Sequence, residues 1–284
     1  MEQTKTINIR GELLDLSQPL VMGIANITPD SFFDKSRKQS EIEAVEHVGK
    51  MIAQGASIID IGAQSSNPKS PLISVEEESE RLRKVLPTLT KEFPKALFSI
   101  DTFYSQVAKM CVEEFGVGIV NDISGGQMDE DMFGTVAQLK VPYILMHMKG
   151  TPQTMTQETH YKHLTQDIFF YFSKKIETLK LLGLNDILID PGFGFSKTLN
   201  QNYELMAQLR NFHIFGLPLL VGISRKSMIY HFLETTPQES LNATTALNMY
   251  ALQHGASILR VHDVKEAVET IKLFRKLQLS EPIT

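Results

Sequence analysis

"ALFSIDTFYSQVAKMCVEEFGVGIVNDIS", residues 96–124, holds two short apolar runs, 96–102 and 118–124, on either side of a stretch with helical character around 107–115. Near-continuous apolar runs of this length suit parallel strands buried on both faces. The pattern recurs along the chain. Comparable runs are "PLVMGIAN" (19–26), "SIIDIGA" (57–63), "PYILMHM" (142–148), "ILIDPGF" (187–193), "LLVGISRK" (219–226) and "SILRVHD" (257–263). Helix-period segments lie between them. "EIEAVEHVGKMIAQGA" stops at Gly55 and "LNATTALNMYALQHGA" at Gly255, while "VEEESERLRKVLPTL" carries acids early and bases late, as a helix dipole favours. Eight strand–helix alternations over about 260 residues predict a single (β/α)8 TIM barrel, of the α/β class, spanning 19–284. A doubly wound open sheet is the alternative. Residues 1–18 read as a hairpin with Gly11 in its turn, covering the N-terminal end of the barrel.

Composition narrows the function classes. The chain has 284 residues, 42% hydrophobic and 21% charged, with a net charge of -5, so bulk electrostatics favour neither nucleic acid nor a membrane surface. Any anion site has to be built locally. Cys111 is the only cysteine, which rules out an intrachain disulfide, and its helical context reads as core. The first ten residues lack a signal-peptide apolar core, and no apolar stretch reaches the roughly 18 residues that span a bilayer. The expected location is the cytoplasm.

In a barrel, chemistry gathers at the C-terminal ends of the strands. Those ends carry Asn26, Asp60, Asp101, Asn121, Asp122, His147, Asp190, Arg225, Lys226, Arg260, His262 and Asp263. One such residue alone is most simply a helix cap or a salt-bridge partner. All eight ends bearing them is what points to a site. Asp101, Asn121 and Asp190 suit a flat nitrogen heterocycle, because a carboxylate accepts two parallel hydrogen bonds and an amide offers one donor and one acceptor. Lys226, Arg260 and His262 follow the last two strands, where barrels commonly bind phosphate. Arg225 alternates to the opposite face and reads as structural, or as paired with a strand-end acid. The loops "NITPDSFFDKSRK" and "GAQSSNPKSPLIS" have the length of lids, and Phe32 and Phe33 suit covering an aromatic substrate.

Taken together, "GIANITPDSF" (23–32), "DIGAQSS" (60–66) with Pro68, "SIDT" (99–102), "NDISGG" (121–126), "MHMKGTP" (146–152), "DPGFGF" (190–195), "GISRKS" (222–227) and "RVHDV" (260–264) resemble the dihydropteroate synthase family, from residue 20 to 275. The resemblance implies a cytoplasmic homodimeric barrel with Mg²⁺ as cofactor. Its reaction joins a 6-hydroxymethyl-dihydropterin diphosphate to p-aminobenzoate in folate biosynthesis. Residue by residue, it implies that Asp101, Asn121, Met146, Asp190, Phe195, Gly222 and Lys226 hold the pterin, with Asp101, Asp190 and Lys226 serving catalysis. Asn26, Arg260 and His262 would take the diphosphate, with Mg²⁺ at Asn26. Phe32, Ser66, Pro68 and Ser227 would shape the p-aminobenzoate pocket.

The second loop departs from the family pattern. Asn67 stands where the family has Arg, and Lys69 where it has Gly; an Asn lacks the forked, permanently charged contact of an Arg. "SSNP" resembles the loop of sulfonamide-insensitive versions, whereas "NDISGG" and "DPGFGFSK" resemble the ordinary type. Two other readings share the pterin-holding residues: a methyltetrahydrofolate corrinoid methyltransferase, which needs no diphosphate site, and a non-catalytic pterin-binding paralogue.

Overall fold

The computed structural model describes residues 6–27, 37–65, 68 and 70–280, with the backbone alone for 37–40. A hairpin of β1 (Thr6–Ile9) and β2 (Glu12–Asp15) comes first. The eight apolar runs then form β3 (Leu20–Asn26), β4 (Ile58–Gly62), β5 (Leu97–Asp101), β6 (Ile119–Asp122), β7 (Tyr143–Met146), β8 (Ile187–Asp190), β9 (Leu220–Val221) and β10 (Ile258–Val261). Each strand from β3 to β7 pairs in parallel with its successor, and β10 pairs with both β9 and β3. A parallel bridge between Ile189 and Leu219, with Ile189 N donating to Pro218 O at 3.0 Å, joins β8 to the start of β9. The sheet therefore closes on itself, as the (β/α)8 reading requires. An open doubly wound sheet would leave the first and last strands apart.

Strand sequence and closure are linked by the two-residue period of side-chain direction. Ile59, Ile61, Val120, Leu145, Ile189 and Leu259 pack outward in the large core shared with the helices. The alternate positions Met22, Ile58, Ile119, Ile144, Leu188 and Ile258 form a separate layer inside the barrel. Ile7 and Leu16, both buried, complete that layer from the hairpin. The hairpin turn uses Arg10 at φ 56° and Gly11 at φ 89°, the two successive positive φ values that let a two-residue turn match the strand twist. Asn8 N donates to Asp186 Oδ1 at 2.8 Å, tying β1 to the residue before β8.

The surrounding helices are α1 (Arg37–Ala53), α2 (Val75–Glu92), α3 (Ser105–Phe115), α4 (Met132–Leu139), α5 (Leu164–Leu181), α6 (Leu199–Ala207), α7 (Ser227–Tyr230), α8 (Leu241–Gln253) and α9 (Val264–Gln278). Ser74 caps α2 by accepting from Glu77 N, with Glu76, Glu77 and Glu78 in the first turn and Lys91 in the last. Thr198 and Gln201 close a reciprocal capping box on α6. Among the described residues, no helix is long and apolar enough to cross a membrane.

Candidate functional site

Inward-facing strand ends meet in one polar network. Arg260 on β10 donates through Nε to Asp60 Oδ2 at 2.7 Å and through Nη2 to Asp101 Oδ2 at 2.6 Å. Asn121 Nδ2 donates to the same Asp60 oxygen at 2.9 Å. Asp60 is fully buried, and its Oδ1 has no hydrogen-bond partner among the described residues. Burial works against the charge of Arg260, but the carboxylates of Asp60 and Asp101 outweigh it and raise its pKa. Burial lifts the Asp101 carboxyl to about 7, against the pull of Arg260. The mouth thus stores buried acids around a single guanidinium, an arrangement typical of functional sites.

Asp190 ends β8, and burial raises its pKa while Lys226 opposes the rise. Its Oδ1 accepts from Gly192 N at 2.8 Å, which bends the chain into the "DPGFGF" loop. Gly192 has φ 71°, and a Cβ there would run into the His147 carbonyl oxygen, so only glycine fits. The loop supports Lys226 from two sides: Nζ donates to Phe193 O and lies 4.5 Å from the Phe195 ring centroid. Burial lowers Lys226 to about 8, with Asp190 pulling the other way. Met146 and Phe195 join Phe103, Ile123, Met148 and Met155 in an apolar cluster at this end. Gly222 lies where an added Cβ would stand 3.7 Å from Arg260 Cβ and 3.9 Å from Asp190 Oδ2.

Asp101, Asn121, Asp190, Lys226, Arg260, Met146, Phe195 and Gly222 are thus brought to one end of the barrel. Asn26 is exposed at the end of β3, and His262 is exposed just beyond β10. Ser227 opens α7 beside Lys226. Pro68 is half-buried; Phe32, Phe33, Ser66, Asn67 and Lys69 lie outside the described residues. The base of the second loop is braced by Gln64, whose Oε1 accepts from Ile73 N at 2.9 Å, and by Arg81, which donates to Ala63 O at 2.9 Å.

Some strand-end residues turn away from the mouth. Asp122 accepts from the Tyr143 hydroxyl at 2.7 Å and from Ser124 N and Gly126 N, shaping the "NDISGG" turn. His147 is buried against Tyr171 and Phe172, with Nδ1 3.1 Å from Lys197 Nζ. Arg225 makes a forked pair with Asp263, both bonds 2.8 Å. Each stands an odd number of residues from an inward position, and the strand period directs it to the helix layer.

Two functional candidates escape the strand-end rule. Lys197, buried, donates to Gly192 O at 2.9 Å and Phe195 O at 3.0 Å, holding the loop that supports Lys226. Glu78 on α2 is fully buried, with neither carboxyl oxygen hydrogen-bonded among the described residues; burial pushes it up to about 8, and Asp101 adds to the rise. Glu78 had a signal: with Leu82, Val85 and Leu89 it lies on the apolar stripe of its helix. A groove of about 940 Å³ lies at the other end of the barrel, between the hairpin and residues 92–98. Asp101, Asp190, Lys226, Arg260 and His262, all with displaced pKa values, gather instead at the C-terminal mouth, which is therefore the candidate site.

The family described as pterin binding enzyme matches residues 22–262. Dihydropteroate synthase of Escherichia coli (strain K12) is 42% identical over 266 residues, covering 93% of each chain. The enzyme of the same name from Synechocystis is 40% identical, over 89% of this chain and 88% of its own. Among solved structures, Yersinia pestis dihydropteroate synthase in complex with a sulfonamide drug superimposes with a TM-score of 0.89, at 38% identity over 97% of this chain and 100% of that one. Xanthomonas albilineans dihydropteroate synthase with 4-aminobenzoic acid gives 0.88 at 32% identity, over 99% of this chain and 100% of that one. A family match over residues 22–262, with a relative 42% identical over 93% of the chain, places this chain in the dihydropteroate synthase family, a family of pterin-binding transferases.

Proposed function

We propose that the mouth condenses 6-hydroxymethyl-7,8-dihydropterin diphosphate with p-aminobenzoate, giving 7,8-dihydropteroate and pyrophosphate. The observation that carries this reading is the Asp60–Arg260–Asp101 network with Asn121, next to Asp190 and Lys226: acceptors for a pterin edge beside cations for a diphosphate. Asp101, Asn121, Asp190 and Lys226 orient the ring, which slides against Met146 and Phe195 beside Gly222. The C–O bond to diphosphate breaks with its electron pair on the leaving group, and the nearby carboxylates stabilise the cationic methylene that remains. The aromatic amine then forms the C–N bond and releases a proton. Phe32, Ser66, Pro68 and Ser227 hold p-aminobenzoate. No protein nucleophile takes part.

The diphosphate lies toward Arg260, His262 and Asn26. Arg260 uses Nε and Nη2 on carboxylates, leaving Nη1 without a partner among the described residues. Asn26 is exposed and offers an amide oxygen. Among the described residues, no cluster of three or more His, Cys, Asp or Glu could hold a metal. The amide oxygen of Asn26 suits Mg²⁺, a hard cation that takes oxygen ligands, keeps several waters and commonly binds through substrate phosphates rather than in an all-protein cage. Asn26 would hold the ion, whose positive charge, once bound, offsets that of the leaving diphosphate. A cytoplasmic homodimer completes the reading, on the strength of the family resemblance and the single cysteine; sedimentation velocity tests the dimer.

The decisive assay supplies the pterin diphosphate, p-aminobenzoate and Mg²⁺ and measures pyrophosphate release. Turnover supports the synthase. Absence of release at high protein concentration would overturn it, and methyl transfer from methyltetrahydrofolate to a corrinoid protein would replace it with the methyltransferase. Pterin binding without either reaction would mark a non-catalytic paralogue.

A further inference from the structure

We propose that Ser224 is a positioning residue that fixes the His262 ring in its Nε2–H tautomer, so that the ring presents an N–H donor to the diphosphate. The inference rests on the reading of His262 as part of the anion site.

The register of the barrel creates the contact. Leu259 of β10 stands opposite Val221 of β9, and carrying that offset past the strand ends sets His262 opposite Ser224. Ser224 Oγ lies 3.2 Å from the His262 backbone nitrogen and 3.2 Å from its ring Nδ1. A backbone N–H can only donate, so the hydroxyl oxygen accepts there. The hydroxyl carries one hydrogen of its own. Ser224 is only 3% exposed, and Nδ1 is the one acceptor for that hydrogen among the described residues. If Nδ1 carried the proton, Oγ would accept twice and its hydrogen would be buried without an acceptor, which native interiors avoid. Nδ1 therefore accepts, and the ring proton sits on Nε2, the usual outcome when one imidazole nitrogen is engaged.

The rest of the ring fits this role. His262 is exposed as a residue, and its Nε2 has no hydrogen-bond partner among the described residues. Desolvation of the packed edge, with Arg260 beside it, pushes His262 down to about 4. At neutral pH the ring is a directional donor, while the positive charge facing the anion comes from Arg260 and Lys226. The next pair in the same register, Arg225 with Asp263, holds the two strand ends together independently of Ser224. Removing the Ser224 hydroxyl should therefore release the ring without opening the barrel.

The test combines ring-nitrogen NMR with kinetics. The chain has eight histidines, so protein labelled with ¹⁵N at histidine is compared with His262→Gln to identify the His262 signals. At pH 7 the wild type should show a protonated Nε2 and an unprotonated Nδ1. Ser224→Ala should give mixed tautomers and about a tenfold rise in KM for the pterin diphosphate. Its affinity for hydroxymethylpterin without phosphate should stay unchanged. Ser224→Thr, which keeps the hydroxyl, should restore both readouts. A wild-type ring protonated at Nδ1, an unchanged tautomer in Ser224→Ala, or an equal loss of phosphate-free pterin would each overturn the proposal. The tautomer is read without turnover, so a protein that retained Nε2–H but released no pyrophosphate would overturn the proposed function while supporting the Ser224 assignment.

Discussion

At the hairpin end of the barrel, Ile58, Ile119, Leu188 and Ile258 pack with Ile7 and Leu16 into an apolar cluster. Two residues further along the same strands stand Asp60, Asn121, Asp190 and Arg260. The strand period sends both sets to the same inward face, so one geometric rule produces two opposite interiors. The lower layer lowers free energy simply by leaving water. The upper set costs desolvation, offset in part by Arg260 between Asp60 and Asp101. What distinguishes the two ends is that the upper one holds charge in place before a substrate arrives.

Truncations at the two ends separate these roles. Arg260→Met should have the largest effect, because it strands two carboxylates: about 3–5 kcal/mol of stability and nearly all turnover. Retained kcat/KM in a folded Arg260→Met protein would show that the network is structural only. Ile7→Ala should cost about 2–4 kcal/mol in urea unfolding through lost burial and a residual cavity. Its kcat/KM below the melting transition should match the wild type. A loss of activity in that folded variant would mean that the two layers are mechanically coupled and the contrast between them is wrong.

Asp101→Asn tests the upper layer more finely. It keeps shape while turning one acceptor into a donor, facing Arg260 and, in the proposed site, the pterin. A hydrogen bond to a charged partner contributes about 1.5–3 kcal/mol, so pterin affinity should fall roughly ten- to a hundredfold by calorimetry. Unchanged affinity would remove Asp101 from the pocket and leave it solely a partner of Arg260.

The barrel was legible because buried parallel strands advertise themselves as apolar runs and because their polar ends recur. The strand period would also have separated Asp60, Asn121 and Asp190, which face the mouth, from Asp122 and His147, which face the helices. What the sequence concealed were contacts made across long separations. Nothing local marks Lys197 as the support of residues 192–195, or links Asp60 to Arg260 two hundred positions away. The reading of Arg260 and Asp101 as tenants of separate anion and heterocycle subsites is sharpened by their direct ion pair. Phe103, Ile123, Met148 and Met155 were hidden for the same reason: each lies in a loop whose place is set by packing rather than by its own periodicity.

The smallest expected effect concerns charge alone. Lys226, lowered by burial to about 8 from an ordinary 10.5, loses its proton as pH rises through that value. If its positive charge serves the diphosphate and pterin, kcat/KM should fall above pH 8, approaching about tenfold per unit. Unfolding would not produce that fall. Between pH 8 and 10.5 the unfolded chain binds more protons at this position than the folded one, so its contribution makes the fold more stable as pH rises. Lys226→Arg keeps a cation over the whole range and should abolish the alkaline limb, with a lower plateau because a guanidinium cannot copy the point contact to Phe193 O. An alkaline limb surviving unchanged in Lys226→Arg would assign it to another group and reduce Lys226 to a hydrogen-bond donor.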